Sequence, residues 1–277
     1  MEFLSKYPHL MRYLQQLKSI PGGTFHFGVT PHTYETRHIE WLLTNVGILF
    51  DGKHRMSPTP TELWDRKIVR VAPYRMGETP VTWGVWKEYC KAKGVRMPDD
   101  PGWGFPDNHP VVNICWDDIM KPGGFAEWAT QLAGYKVTLP TDVQMEYASR
   151  GGKDGQLFPW GNTFDVNRVW CSTPPGGLEQ TAPVHRPNRI YRNSYGLTDI
   201  VGNVMQWCAD YHVQLAGLSP SQRNERMQYY SKAQMVCVRG GSYMHYYPSF
   251  FQCESRMAVD KNYGCKYYGF RLVAETR

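Results

Sequence analysis

Two thiols lie inside the most aromatic stretch of the chain. Cys253 and Cys265 stand in the segment from Tyr243 to Phe270, which holds nine aromatic residues in 28 against a chain-wide share of 14%. A thiolate is a nucleophile and a soft ligand, so a cysteine pair can bind monovalent copper or exchange disulfides. The same stretch mixes Tyr, Phe, His, Ser and Asn in irregular order, which is the chemistry of recognition surfaces. Tyr brings large, stiff contact area at low entropy cost, and Ser and Asn adapt their hydrogen bonds. The candidate contact residues are His245, Tyr246, Tyr247, Ser249, Phe250, Phe251, Cys253, Ser255, Asn262, Tyr263, Cys265 and Tyr267. Tyr243, Phe270 and Tyr268 fit a small aromatic core layer instead.

The seven cysteines are odd in number, show no CxxC or zinc-ligand spacing, and sit in several apolar runs such as Ile114-Cys115-Trp116. That pattern predicts small buried hydrophobes in a reducing compartment. The net charge of +6 is modest and scattered. Arg186, Arg189 and Arg192 form its clearest cluster, which reads as a solvated loop, and no nucleic-acid partner is expected. No run of 18 apolar residues predicts a membrane span. The first 23 residues lack the apolar block of a signal peptide, so synthesis in the cytoplasm is expected.

The elements that must position these residues are short. Leu10, Leu14 and Leu17 predict an amphipathic helix over 9–18, stopped by Pro21-Gly22-Gly23. Phe25 and Phe27 predict a strand, 29–70 an insertion, and Val69 to Met76 another strand. Thr82 starts a helix that ends near Gly94. A further helix is expected from Asp117 to Leu132, broken at Pro122-Gly123-Gly124. Thr141 with Gln144 is a capping box for a helix from Asp142 to Arg150, stopped by Gly151. Beyond it lies turn chemistry: FPWGN, TPPGG, RPNR and NSYGL. MVCVRGGSY and GFRLV are expected as paired strands flanking the aromatic segment.

Eight segments, in order, resemble the formylglycine-generating-enzyme-type domain: SIPGGTFHFG, ETPVTWGVWKEYC, HPVVNICWDD, LPTDVQMEYASRGG, FPWGN, YGLTDIVGNVMQWCADY, VRGGSY and GFRLV. The resemblance spans residues 19–273. It implies an α+β, C-type-lectin-like single domain, loop-rich, with short antiparallel strands and a few helices. Residues 1–18 would be a helical lead-in and 19–277 the domain, with a binding segment at about 240–271.

Such scaffolds host different sites. The family includes copper-dependent thiol oxidases, iron-dependent sulfoxide synthases and ligand-binding proteins, among them the variable proteins of diversity-generating retroelements. The oxidase is implied to place its thiol pair where this chain has His245 and Phe250, so it would need the displaced Cys253 and Cys265. The synthase is implied to need two histidines at i, i+4 on a helix. His32 and His38 are six apart and point to different helical faces. The resemblance also implies a structural calcium held by Asp199, the carbonyls of Gly202 and Val204, and Gln206, where the family's usual Glu would add a charge. Finally, the twelve candidate contact residues are all reachable by randomising the adenines of an Asn codon, whereas Met244, Gln252, Glu254 and Lys261 between them are not. That interleaving resembles a retroelement variable protein: a non-enzymatic display protein that needs no cofactor beyond possible calcium. Its expected partner is a protein on a cell or particle surface.

Overall fold

The computed structural model describes residues 6–28, 67–172, 178–186, 191–211 and 234–275, together with Ser221, Glu225, Gln228 and Lys232. His32, His38, Arg189 and most of the expected insertion lie outside them. Helix α1 (Pro8–Gln15) buries Leu10, Tyr13 and Leu14. It stops short of the predicted end because Leu17–Ile20 forms strand β1, which pairs antiparallel with β4 (Tyr74–Gly77), Leu17 opposite Gly77. Backbone pairing with a distant strand overrides the helical period at Leu17.

The expected strand at 69–76 is two strands. β3 (Lys67–Val71) pairs with β2 (Gly23–Phe27), and β4 joins another sheet. Pro73, with no N–H to donate, stands between them. Helix α2 (Trp83–Lys93) ends on the left-handed Gly94 as predicted. The second helix is α3 (Trp116–Met120) and α4 (Phe125–Ala133), broken at the expected prolyl-glycyl turn. Helix α5 (Asp142–Arg150) begins with both bonds of the capping box, Gln144 N–H to the Thr141 hydroxyl at 3.1 Å and Thr141 N–H to Gln144 Oε1 at 2.9 Å.

The larger correction lies at the C-terminal end. β7 (Met235–Arg239) does not pair with GFRLV. It lies between β6 (Met205–Tyr211) and β8 (Arg256–Asp260), in a sheet of order β8-β7-β6-β9 with β9 (Tyr268–Gly269) parallel to β6. β10 (Val273–Glu275) belongs to a separate sheet, β1-β4-β10-β5, with β5 at Val137–Thr138. The β6-β7 ribbon is covered on both faces. Trp207, Val236 and Val238 join the main core of Trp83, Trp86, Phe125 and Phe270, whereas Cys208 and Cys237 point into a second core with Phe25, Met76 and Met145. A strand buried on both faces loses the polar-apolar alternation by which strands are read. The β6 strand was accordingly missed in sequence.

Candidate functional site

The aromatic segment begins where β7 ends. Gly240 and Gly241 adopt φ of 94° and 63°, a region that costs a residue with a side chain. A Cβ on Gly241 would also stand 2.8 Å from the Phe251 ring. This close approach lets the chain reverse and double back over the sheet.

The turn is tied by His245. Its Nδ1 accepts the Ser242 N–H at 3.0 Å and lies 2.9 Å from the Ser242 hydroxyl, and its own carbonyl accepts the Ser172 N–H at 2.9 Å. The imidazole stacks on Phe250 with ring centroids 4.1 Å apart. Burial pushes its pKa down to about 4, so the ring is neutral at pH 7. These are the two positions where the family resemblance implies thiols. An imidazole on a phenyl ring offers no soft sulfur pair, so the residues here do not fit monovalent copper.

A one-turn 3₁₀ helix, Pro248–Phe251, follows. It divides its aromatic rings between outside and inside. Tyr246 and Tyr247 are half-buried, with ring centroids 4.2 Å apart, and Ser249 and Phe250 are half-buried beside them. Met244, which stands outside the twelve candidate contact residues, is the most exposed large apolar side chain of the segment at 41%. Phe251 turns inward and is fully buried, among Phe158, Val169, Cys171 and Val201. As a contact residue it is a correction, because the Gly241 turn draws it into the core.

Cys253 is corrected for the same reason. Its thiol is buried, its N–H donates to Leu157 O at 2.7 Å, and its carbonyl accepts from Arg239 at 3.0 Å. Burial raises its pKa well above the usual thiol value, so it is a poor nucleophile. Cys265 is buried against Tyr243 and Tyr267. The two thiols thus face different neighbours, and all seven cysteines are unbridged. Tyr263 and Tyr267 each meet Tyr268 edge-on, at 6.1 and 5.0 Å, and are half-buried. Ser255 is half-buried, and Asn262 is exposed.

Beneath the segment lies a charged floor that sequence reasoning missed. Arg239, 2% exposed, pairs with Asp142 and, at 3.0 Å, with Glu146. Glu146 also takes Arg150 at 2.6 Å, Arg150 reaches Glu254 at 3.4 Å, and Arg256 covers the other oxygen of Asp142. Burial alone would raise Asp142, but Arg239 and Arg256 outweigh it and hold the carboxyl far below the usual range. The Glu146–Arg150 spacing of i, i+4 was the available signal; their partners lie about a hundred residues away in sequence.

The expected calcium ligands form a different arrangement. One Asp199 carboxylate oxygen pairs with Arg186 and the other accepts from Asn203 at 2.8 Å. The Asp199 carbonyl accepts from Gln206 at 2.8 Å and from Arg271 at 2.7 Å, and the Gln206 side-chain oxygen accepts from Arg271. The Gly202 carbonyl accepts the Val204 N–H at 2.8 Å. With its carboxylate already paired, this set does not fit a hard divalent cation. Arg186 is also a correction: read in sequence as solvated, its side chain is only 12% exposed.

No helix among the described residues is long and apolar enough to cross a membrane. Among curated proteins, the chain is 36% identical over 129 residues to the formylglycine-generating enzyme of Thermomonospora curvata, covering 42% of this chain and 39% of that one. It is 28% identical over 212 residues to the mouse formylglycine-generating enzyme (69% and 51%), and 34% identical over 125 residues to bovine inactive C-alpha-formylglycine-generating enzyme 2 (42% and 38%). The chain thus spans between 38% and 51% of these relatives' own length. Among solved structures, PvdO from Pseudomonas aeruginosa aligns with a TM-score of 0.65 at 20% identity over 94% of both chains. Treponema denticola variable protein 1 aligns at 0.64 and 18%, over 94% of this chain and 95% of its own. Both show the formylglycine-generating-enzyme-type, C-type-lectin-like fold. The model of the sulfatase-modifying factor enzyme 1-like domain matches residues 9–276, and the chain belongs to that family.

Proposed function

We propose that this chain is a non-enzymatic member of its family that binds a protein partner through the outward face of its C-terminal segment: Met244, Tyr246, Tyr247, Ser249, Phe250 and Asn262. The observation that carries the reading is the His245–Phe250 stack at the positions where an oxidase would need its thiols. A neutral buried imidazole and a phenyl ring can transfer no electrons from a substrate thiol. The side chains that remain accessible are phenols, a phenyl ring, a thioether, a hydroxyl and an amide, which recognise by contact area and hydrogen bonding. They stand on a turn held by a buried ionic floor, so little order is lost on binding. The family contains relatives named as active and as inactive enzymes, and a neighbour named as a variable protein, so its fold accommodates a binding role.

Two measurements test this. Supplied with copper, oxygen and a cysteine-bearing peptide, the protein should leave the thiol unconverted by mass spectrometry. Aldehyde formation that disappears in both Cys253→Ser and Cys265→Ser would sink the reading. At the gene, retroelement diversification predicts a near-copy of the DNA encoding 240–271 that differs at adenines, beside a reverse-transcriptase gene. Without such a copy, the surface is a fixed one.

A further inference from the structure

We infer that Arg186 occupies, with a charge of this chain's own, the place a divalent cation would take in the Asp199 loop, so that the loop closes without metal. The loop is a place that needs a cation. Asp199 is 1% exposed and sits at a left-handed φ of 51°, where its carboxylate cannot be left unpaired. Arg186 meets that need and is itself held. Its Nη1 donates to Pro183 O at 2.9 Å, and its guanidinium lies 4.0 Å over the Tyr191 ring and 5.8 Å from that of Trp170.

The Asp199 carbonyl and the Gln206 side-chain oxygen are engaged by a second guanidinium. Arg271, fully buried, donates to the carbonyls of Gly77 at 3.0 Å, Thr198 at 2.9 Å and Asp199 at 2.7 Å, and to Gln206. One guanidinium therefore pairs with the Asp199 carboxylate and a second donates to the carbonyl of the same residue, and Gln206 adds no negative charge. A divalent ion placed here would meet like charges at short range in a low-dielectric interior. Gln206 fits the same logic, since its amide accepts from Arg271 through oxygen and donates to the Asp199 carbonyl through nitrogen. A glutamate could do only the first.

Thermal unfolding and terbium luminescence test the inference, because Trp170 lies where it would sensitise an ion at Asp199. The wild-type midpoint should be the same in excess EDTA and in millimolar calcium, and terbium should gain no tryptophan-sensitised emission. The double variant Arg186→Met, Gln206→Glu should gain both a calcium-dependent rise in midpoint and sensitised emission, while Arg186→Lys should gain neither. A wild-type midpoint that rises with calcium, or wild-type terbium emission abolished by Asp199→Asn, would overturn the inference. So would a folded double variant that binds no calcium. If the double variant does not fold, the two wild-type measurements decide. None of these outcomes depends on what the C-terminal face binds.

Discussion

At the scale of single residues, the segment is governed by two buried groups that cannot be left in the wrong charge state. His245 is neutral in the fold, with its pKa lowered from 6.5 to about 4 by burial. Between those values the unfolded chain binds the proton and the folded chain does not, so stability rises with pH across that window. His245 therefore exerts no penalty above pH 6.5 and an increasing one as the pH falls toward 4. Urea midpoints measured from pH 7 to 4 should drop less steeply in His245→Asn than in the wild type. Equal slopes would assign the acid loss elsewhere. Arg239 is the second group. Its removal would leave Asp142 and Glu146 facing each other, and Arg239→Ala should cost about 3–5 kcal/mol in chemical denaturation. A loss under 1 kcal/mol would mean that Arg150 and Arg256 alone neutralise the floor.

At the scale of elements, the helix boundaries follow local chemistry and the aromatic turn follows a long-range contact. Thr141 caps α5 as its sequence predicts, and Thr141→Ala should cost about 1 kcal/mol, read as a shift in denaturation midpoint. Gly94 and Gly241 have nearly the same φ, 65° and 63°, but Gly94 has open space where a Cβ would go and Gly241 has the Phe251 ring. Gly94→Ala should lose only the left-handed penalty of about 1–2 kcal/mol. Gly241→Ala should lose that and more, and the excess measures the contact that turns Phe251 inward. Equal losses would show that the ring yields freely. The capping box and the left-handed glycine stops were legible because each is complete within four residues. The split of 69–76 into two strands and the partner of β7 were not, because sheet pairing is set by chain segments far apart.

At the scale of the molecule, one run of rings serves two purposes, and stability separates them. Tyr246→Ser and Tyr247→Ser should leave the unfolding midpoint within about 0.5 kcal/mol of wild type, because neither ring belongs to a buried cluster. Phe251→Ala should cost about 3–5 kcal/mol, as a buried ring does. If the tyrosines proved as costly as Phe251, the face would be core and the binding proposal would fail.

The order of eight local motifs implied the fold class through its resemblance to a known family, and the glycine stops and capping signals placed the helix ends, because each is short-range chemistry that a linear chain displays. What tertiary structure alone decided was direction and partnership: that Phe251 and Cys253 point in while Met244 points out, and that Arg186 turns from the surface onto Asp199. An irregular turn has no period from which to read inside and outside. A buried guanidinium is chosen by carbonyls as far as 194 residues away in sequence, and only the folded chain brings them together.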